Sequence, residues 1–270
     1  MTTKTVNAAL DPSVANKLAT EAMSDQEATV KAFKPDVKLP PATDVELPGG
    51  LMDPFSGLIK TAEVRELNGA DEEAISKMAD PGRALLTILE RGTVKIGSEK
   101  VTEPLLDSLY AGDREAILLA IRKATFGSDV KLGPAPCPSC GEEQVFEVDL
   151  DKDVPVKTLE GPGEFTVDCK VGEVRVTLPK GSAQKAVITS SNKTAAELDT
   201  IILNNCVLSI NDTLVISPAA VRNLSIMDRR KILEEITDRN PGPQLSEIKV
   251  SCQFCGTEVP LPLTLAELFR

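Results

Sequence analysis

Four of the six cysteines in this chain fall into two matching motifs, and they are the residues whose types and spacing can do chemistry. Cys137 and Cys140 stand in CPSCG; Cys252 and Cys255 stand in CQFCG. A Cys-x-x-Cys turn presents two thiolates at the spacing of two of the four tetrahedral positions around zinc, so one knuckle is half a site and two complete it. The glycine after each pair lets the turn aim backbone N–H groups at the sulfurs, which spreads the thiolate charge. The expectation is one closed structural Zn2+ site with Cys137, Cys140, Cys252 and Cys255 as ligands and no open position for catalysis. An iron centre and four metal-free thiols are the other readings of the same pattern. A redox pair fits poorly, because neither motif opens a helix after a strand. Cys169, in FTVDC, and Cys206, in NNCVLSI, read as packing residues of apolar strands.

A shared site needs a fold that returns the chain across the 111 residues between the knuckles. An internal repeat supplies it. Shifting the sequence by 115 residues without a gap places Cys137, Cys140 and Gly141 on Cys252, Cys255 and Gly256. The same shift places Asp113 and Arg114 on Asp228 and Arg229, Ile117 and Leu118 on Ile232 and Leu233, and Ile121 on Ile236. Upstream, AEVRELNGADEEAI resembles GEVRVTLPKGSAQKAVI, and ALLTILERGTVKI resembles ELDTIILNNCVLSI. Each half reads strand, helix, helix, strand, paired helices, knuckle, strand. The expected fold is therefore α+β: internally duplicated units of short strands and paired helices, related by a pseudo-twofold axis and joined by a zinc-ribbon-like four-cysteine site.

Within that order, GADEEAISKM reads as a helix start with Asp71 at or near the cap, and GRALLTILERG as a second helix with Leu85, Leu86 and Leu89 on one face. A helix from about Asp113 to Lys123 buries Ile117, Leu118 and Ile121, and its counterpart buries Ile232, Leu233 and Ile236. Residues 183–204 read as helical, and Ser217-Pro218 as a cap and first position. The recurring Asp-Arg pairs read as a helix cap followed by a surface arginine, as a buried aspartate tying the paired helices together, or as an arginine at a partner surface. The boundaries are 1–44 for a Pro-rich N-terminal arm, 45–150 for the first unit and 151–270 for the second. The arm is either a disordered tail or a segment that orders on a partner.

Composition narrows the function. Histidine is absent, which excludes histidine bases, Ser-His-Asp and Cys-His nucleophile pairs and histidine-ligated metals. Acidic clusters such as Asp71-Glu72-Glu73 read as helix starts or solvated faces, so the chain is expected not to be an enzyme. A net charge of -11 and only 3% aromatic residues argue against nucleic acid as a partner. No apolar run approaches the ~18 residues of a membrane span, and the opening residues lack an apolar signal core. Maturation in a reducing cytoplasm follows as an expectation, with cysteines acting as ligands or core residues.

LYAGDREAILLAIRKATFG, then CPSCGEEQVFEVDL, then the late CQFCG, resembles the baseplate hub and hub assembly proteins of T4-like, contractile-tailed bacteriophages over roughly residues 45–265. Asp113 and Arg114 match the helix motif of that family, and Cys137 and Cys140 its first knuckle. The resemblance implies a non-enzymatic component of the tail baseplate hub, assembled in the bacterial host cytoplasm and located in the virion. Its implied partners are other baseplate or hub proteins, the end of the tail tube and the C-terminal region of the tape-measure protein. A transient assembly chaperone, a host-takeover adaptor and a zinc-ribbon nucleic-acid module are the rival readings.

Overall fold

The computed structural model describes residues 16, 17, 20, 40–190 and 192–269. Most of the 1–44 arm lies outside the described residues. From Pro41 onward the chain forms one compact unit.

Two halves of that unit run through the same series of elements. In the first, β1 (Thr43–Asp53) and β2 (Gly57–Val64) form a hairpin, α1 (Gly69–Ser76) and α2 (Pro81–Gly92) follow, and β3 (Thr93–Ile96) and β4 (Glu99–Lys100) complete an antiparallel sheet of order β1-β2-β3-β4. Then come α3 (Glu103–Ser108) and the long α4 (Ala111–Phe126), and a hairpin of β5 (Asp129–Pro136) and β6 (Glu143–Asp149) with the first knuckle at its tip. After β7 (Val156–Lys157) the order recurs. Hairpin β8 (Glu164–Cys169) and β9 (Gly172–Thr177) is followed by α5 (Gly181–Ile188), α6 (Ala195–Cys206), β10 (Val207–Ile210) and β11 (Thr213–Leu214), in a sheet of order β8-β9-β10-β11. Helices α7 (Pro218–Arg222) and α8 (Ile226–Arg239), β12 (Gly242–Pro243), and the second knuckle hairpin of β13 (Lys249–Ser251) and β14 (Glu258–Pro260) follow, with α9 (Leu265–Leu268) last. The architecture is α+β with repeated strand-helix units.

Local chemistry sets the helix starts. Asn68 caps α1 through the N–H groups of Ala70 and Asp71, and Asp71 Oδ2 accepts the Asn68 N–H in return. Asp71 is thus the third helical residue and not the cap. It is buried and bonded to Arg65 and Arg91 at 2.7 Å each, and the Arg65 guanidinium holds its carboxyl well below the usual carboxylate range. Thr194 and Glu197 form a second such box and start α6 afresh, so 183–204 is not one continuous helix. Cys206 ends α6; it is not a strand residue. Ser217 and Pro218 cap and open α7 as the sequence predicts.

The recurring Asp-Arg pairs fasten each half internally. Asp113 Oδ1 accepts the Gly49 N–H of the first hairpin (2.6 Å), and Asp228 Oδ1 accepts the Lys170 N–H of the equivalent hairpin turn (2.8 Å). Arg114 Nη1 reaches Leu106 O in α3, and Arg229 Nη1 reaches Val221 O in α7. Both aspartates are buried, as one reading expected, but each ties its helix to the preceding hairpin, and it is the arginine that holds the paired helix. The surface-arginine reading fails, since Arg114 is buried and Arg229 half-buried. Burial raises the Asp113 carboxyl, against the lowering effect of the Gly49 and Gly50 N–H groups; at Asp228 the Lys170 N–H wins and the carboxyl is lowered.

Each half has its own apolar cluster. Leu47, Val64, Leu89, Ile117 and Ile121 anchor the first; Val174, Leu203, Cys206, Ile232 and Ile236 anchor the second. Leu118 is buried, but Leu233, expected to match it, is only half-buried. Cys169 packs partly buried against the second cluster. A third cluster under β5 and β6 includes Val148, Ile248 and Leu268, so the C-terminal segment completes the base on which the knuckles stand. The halves are sewn together by a bridge between Tyr110 and Lys180 and by the close approach of Gly112 to Pro241 and Gly242, at β12, which pairs with β7. No helix among the described residues is long and apolar enough to cross a membrane.

Candidate metal centre

β6 positions the first knuckle. Its side chains alternate, with Gln144, Phe146 and Val148 turned inward, as a strand with one buried face requires. Phe146 and Val259 of β14 pack beside Cys137 and Cys252 in a small cluster of their own. Both knuckles then close by the same turn. Cys137 N–H donates to Glu142 O and Gly141 N–H to Cys137 O; Cys252 N–H donates to Thr257 O and Gly256 N–H to Cys252 O, all at 2.9 Å. Gly141 and Gly256 have φ of 79° and 71°, the left-handed region that a side chain would strain.

The four thiols meet. Cys137 Sγ lies 3.9 Å from Cys255 Sγ, Cys140 Sγ lies 3.8 Å from Cys252 Sγ, and all four sulfurs fall within 4.8 Å of one another. Disulfide sulfurs stand at about 2.05 Å, so these are free thiols. Four sulfurs at about 2.3 Å around a tetrahedral ion would be separated by ~3.8 Å. The contacts are reciprocal: the first cysteine of each knuckle meets the second of the other. Cys137 and Cys252 are buried while Cys140 and Cys255 are exposed, again alike in the two knuckles. The cluster is capable of coordinating a metal ion.

Its electrostatics favour a cation. Thr257, through its hydroxyl and its N–H, pulls the Cys255 thiol down to about 6. The N–H of Cys255, with that of Phe254, lowers Cys252. The Glu142 N–H also favours a thiolate at Cys140, yet desolvation and the three neighbouring sulfurs push that thiol up to about 12. Sulfurs this close cannot all carry charge in the absence of a positive partner, and a divalent ion removes that conflict. Cys206, by contrast, is pushed up to about 12 by burial alone, and burial raises Cys169 also. Neither belongs to the cluster.

Two further residues tie the knuckles together. Gln144 Oε1 accepts the Gln253 N–H at 3.0 Å, and Thr257 Oγ1 lies 3.3 Å from Ser139 Oγ. Gln144 was detectable in the repeat. It falls on Val259, while Gln253 falls on Pro138. Proline has no N–H to satisfy, so its half needs no amide at the matching strand position, and an apolar residue serves.

An α+β chain of repeated strand-helix units, closed by a four-cysteine cluster formed from two hairpins, defines a protein organised around a metal-capable structural centre. It belongs to the T4 bacteriophage base plate protein family, which matches residues 59–269 and so takes in both knuckles. No curated protein and no solved structure matches the chain significantly.

Proposed function

We propose that the chain is a non-enzymatic structural or assembly component of the tail baseplate hub, holding the tail tip together through protein-protein contacts. Membership of the base plate family over residues 59–269 carries this reading. The cysteine cluster supports it: four thiolates make a closed donor set, which suits a structural Zn2+ and leaves no position for a reacting water. Thiolate donors and the absence of histidine fit zinc better than harder ions. The ion would lock the two knuckle hairpins, and through them the C-terminal segment, into one rigid base. Its partners are other baseplate or hub proteins, the tail tube end and the tape-measure C-terminal region, and its place is the virion tail. The division into an arm at 1–44 and units at 45–150 and 151–270 is part of the same proposal, as is descent of the units by duplication.

Mass spectrometry of purified tails, with electron microscopy of particles made without this chain, tests the reading. The chain should be found in the tails, and its loss should leave tails without complete baseplates. Defective tails from mutant cells, together with absence of the chain from normal particles, would instead indicate a transient assembly chaperone.

A further inference from the structure

The two bodies pack head to tail within the chain, unlike the reciprocal knuckles. The start of α4 sits in a recess of the second half, and a cavity of about 580 Å³ remains between them, lined by Glu115 and Leu118 of α4 and by Gln184 and Val187 of α5. Gln184 Nε2 donates to Glu115 Oε1 at 3.4 Å across this seam. The repeat requires a second recess in the first half and a second helix start in the second half, and both exist. The helix start is exposed, and the recess is bordered on one side by Ala266 of α9 and the adjoining Phe269 but receives no helix start. The first-half recess, about 470 Å³, is lined by Glu72 and Ile75 of α1, Ile88 of α2, and Phe126. Glu72 and Gln184 are each the fourth residue of an eight-residue helix, and Ile75 and Val187 each the seventh. The free helix start is that of α8, where Ile226 and Met227 are 71% and 59% exposed; their counterparts Ala111 and Gly112 are buried.

The equivalent positions also exchange polarity in a complementary way. Within the chain, acidic Glu115 of the helix faces the amide of Gln184. At the unmated surfaces the helix position is Arg230 and the recess position is Glu72. Both are exposed, and neither has an ion-pair partner among the described residues. We propose that a second copy of this chain seats its α8 start in the first-half recess, repeating between chains the contact that the halves make within one, with Ile226 in the apolar recess and Arg230 against Glu72. The backbone approach at Gly112, where an added Cβ would stand 1.6 Å from Pro241 O, does not recur at Met227. The contact between chains is therefore made by apolar side chains and an ion pair. A contact joining two different surfaces closes into a twofold dimer if both chains reciprocate, and otherwise propagates into a ring or an open filament. This assembly goes beyond the hub reading and does not depend on the metal.

Sedimentation equilibrium of the full chain, at concentrations up to its solubility limit, tests the proposal. The mass should rise above that of one chain. Ile226→Asp should abolish the rise, and Glu72→Arg and Arg230→Glu should each weaken association several-fold. Both reversals in one chain should restore it, because the ion pair is then re-formed with exchanged signs. All three substituted side chains lie on exposed positions, so circular dichroism should be unchanged. A single-chain mass at every concentration would overturn the proposal and leave the two surfaces to another protein. Association that ignores Ile226→Asp, or a double reversal no better than the weaker single, would overturn it equally.

Discussion

Helices α4 and α8 hold the same place in the two halves, share the Asp-Arg pair, and live in different surroundings. α4 is enclosed on nearly every side: Ala111, Gly112, Asp113 and Arg114 are buried at its start, and Leu118, Leu119 and Ile121 beyond. α8 buries Asp228, Ile232 and Ile236 and leaves the rest to solvent or to the seam. The shared residues are those that each half needs for its own closure. Among the residues that differ are Gly112 and Met227, and Glu115 and Arg230, of which the first of each pair faces the other half. Repetition of a unit therefore fixed the internal fastening twice, while the contact between units was built once, on α4.

The close approach of α4 to β12 offers the sharpest way to break this difference. Gly112→Met installs the residue found at the matching position of α8 and should cost roughly 3 kcal/mol or more, because Pro241 is in the way. Met227→Gly should cost only about 1 kcal/mol, the ordinary penalty of glycine in an exposed helix. Equal effects in denaturant melts would mean that the two starts are not differently packed. A smaller contrast is expected deeper in the helices. Leu118→Ala should cost roughly 2–3 kcal/mol as a buried truncation, and Leu233→Ala about 1 kcal/mol, since that side chain is half-exposed to the seam cavity.

Asp71 marks a third and smaller difference. The first half carries the buried Arg65-Asp71-Arg91 cluster; the third residue of α5 is Ala183. The folded carboxyl is depressed, so its stabilisation is fully present above the unfolded value of about 4 and is lost as pH falls through the lower folded value. Asp71→Asn should cost about 2 kcal/mol at neutral pH, a figure held down because the Arg91 side chain is 39% exposed. The gap between variant and parent should close as pH drops below 4. A gap that widens on acidification would remove the ion cluster from the account.

Much of this was legible in the sequence where one residue type has one use. The knuckle spacing and the 115-residue shift placed four sulfurs together, and the phase of Ile117 and Ile121, with Ile232 and Ile236, located the inner faces of α4 and α8. Asp71 was read at or near the cap and is the third helical residue of the capping box. Its arginine partners were not foreseen, because a helix-start aspartate looks the same whether it serves the cap alone or also binds arginines, one of them twenty residues away in sequence. Arg114 was open to a surface reading because one of its acceptors, Leu106 O, is a backbone atom that carries no sequence signal, and the other, Asp107, lies on a separate helix seven residues earlier. Leu233 was given the burial of Leu118 because repeat logic assigns equal surroundings to equal residues, which fails at a seam that exists only once.

The central claim is that the two knuckles hold a single ion in common. Elemental analysis of the purified chain, paired with X-ray absorption at the metal edge, tests it most directly. One zinc per chain with four sulfur neighbours at about 2.3 Å is the predicted result. Two zincs per chain, or a chain free of metal whose knuckle hairpins stand apart, would contradict it.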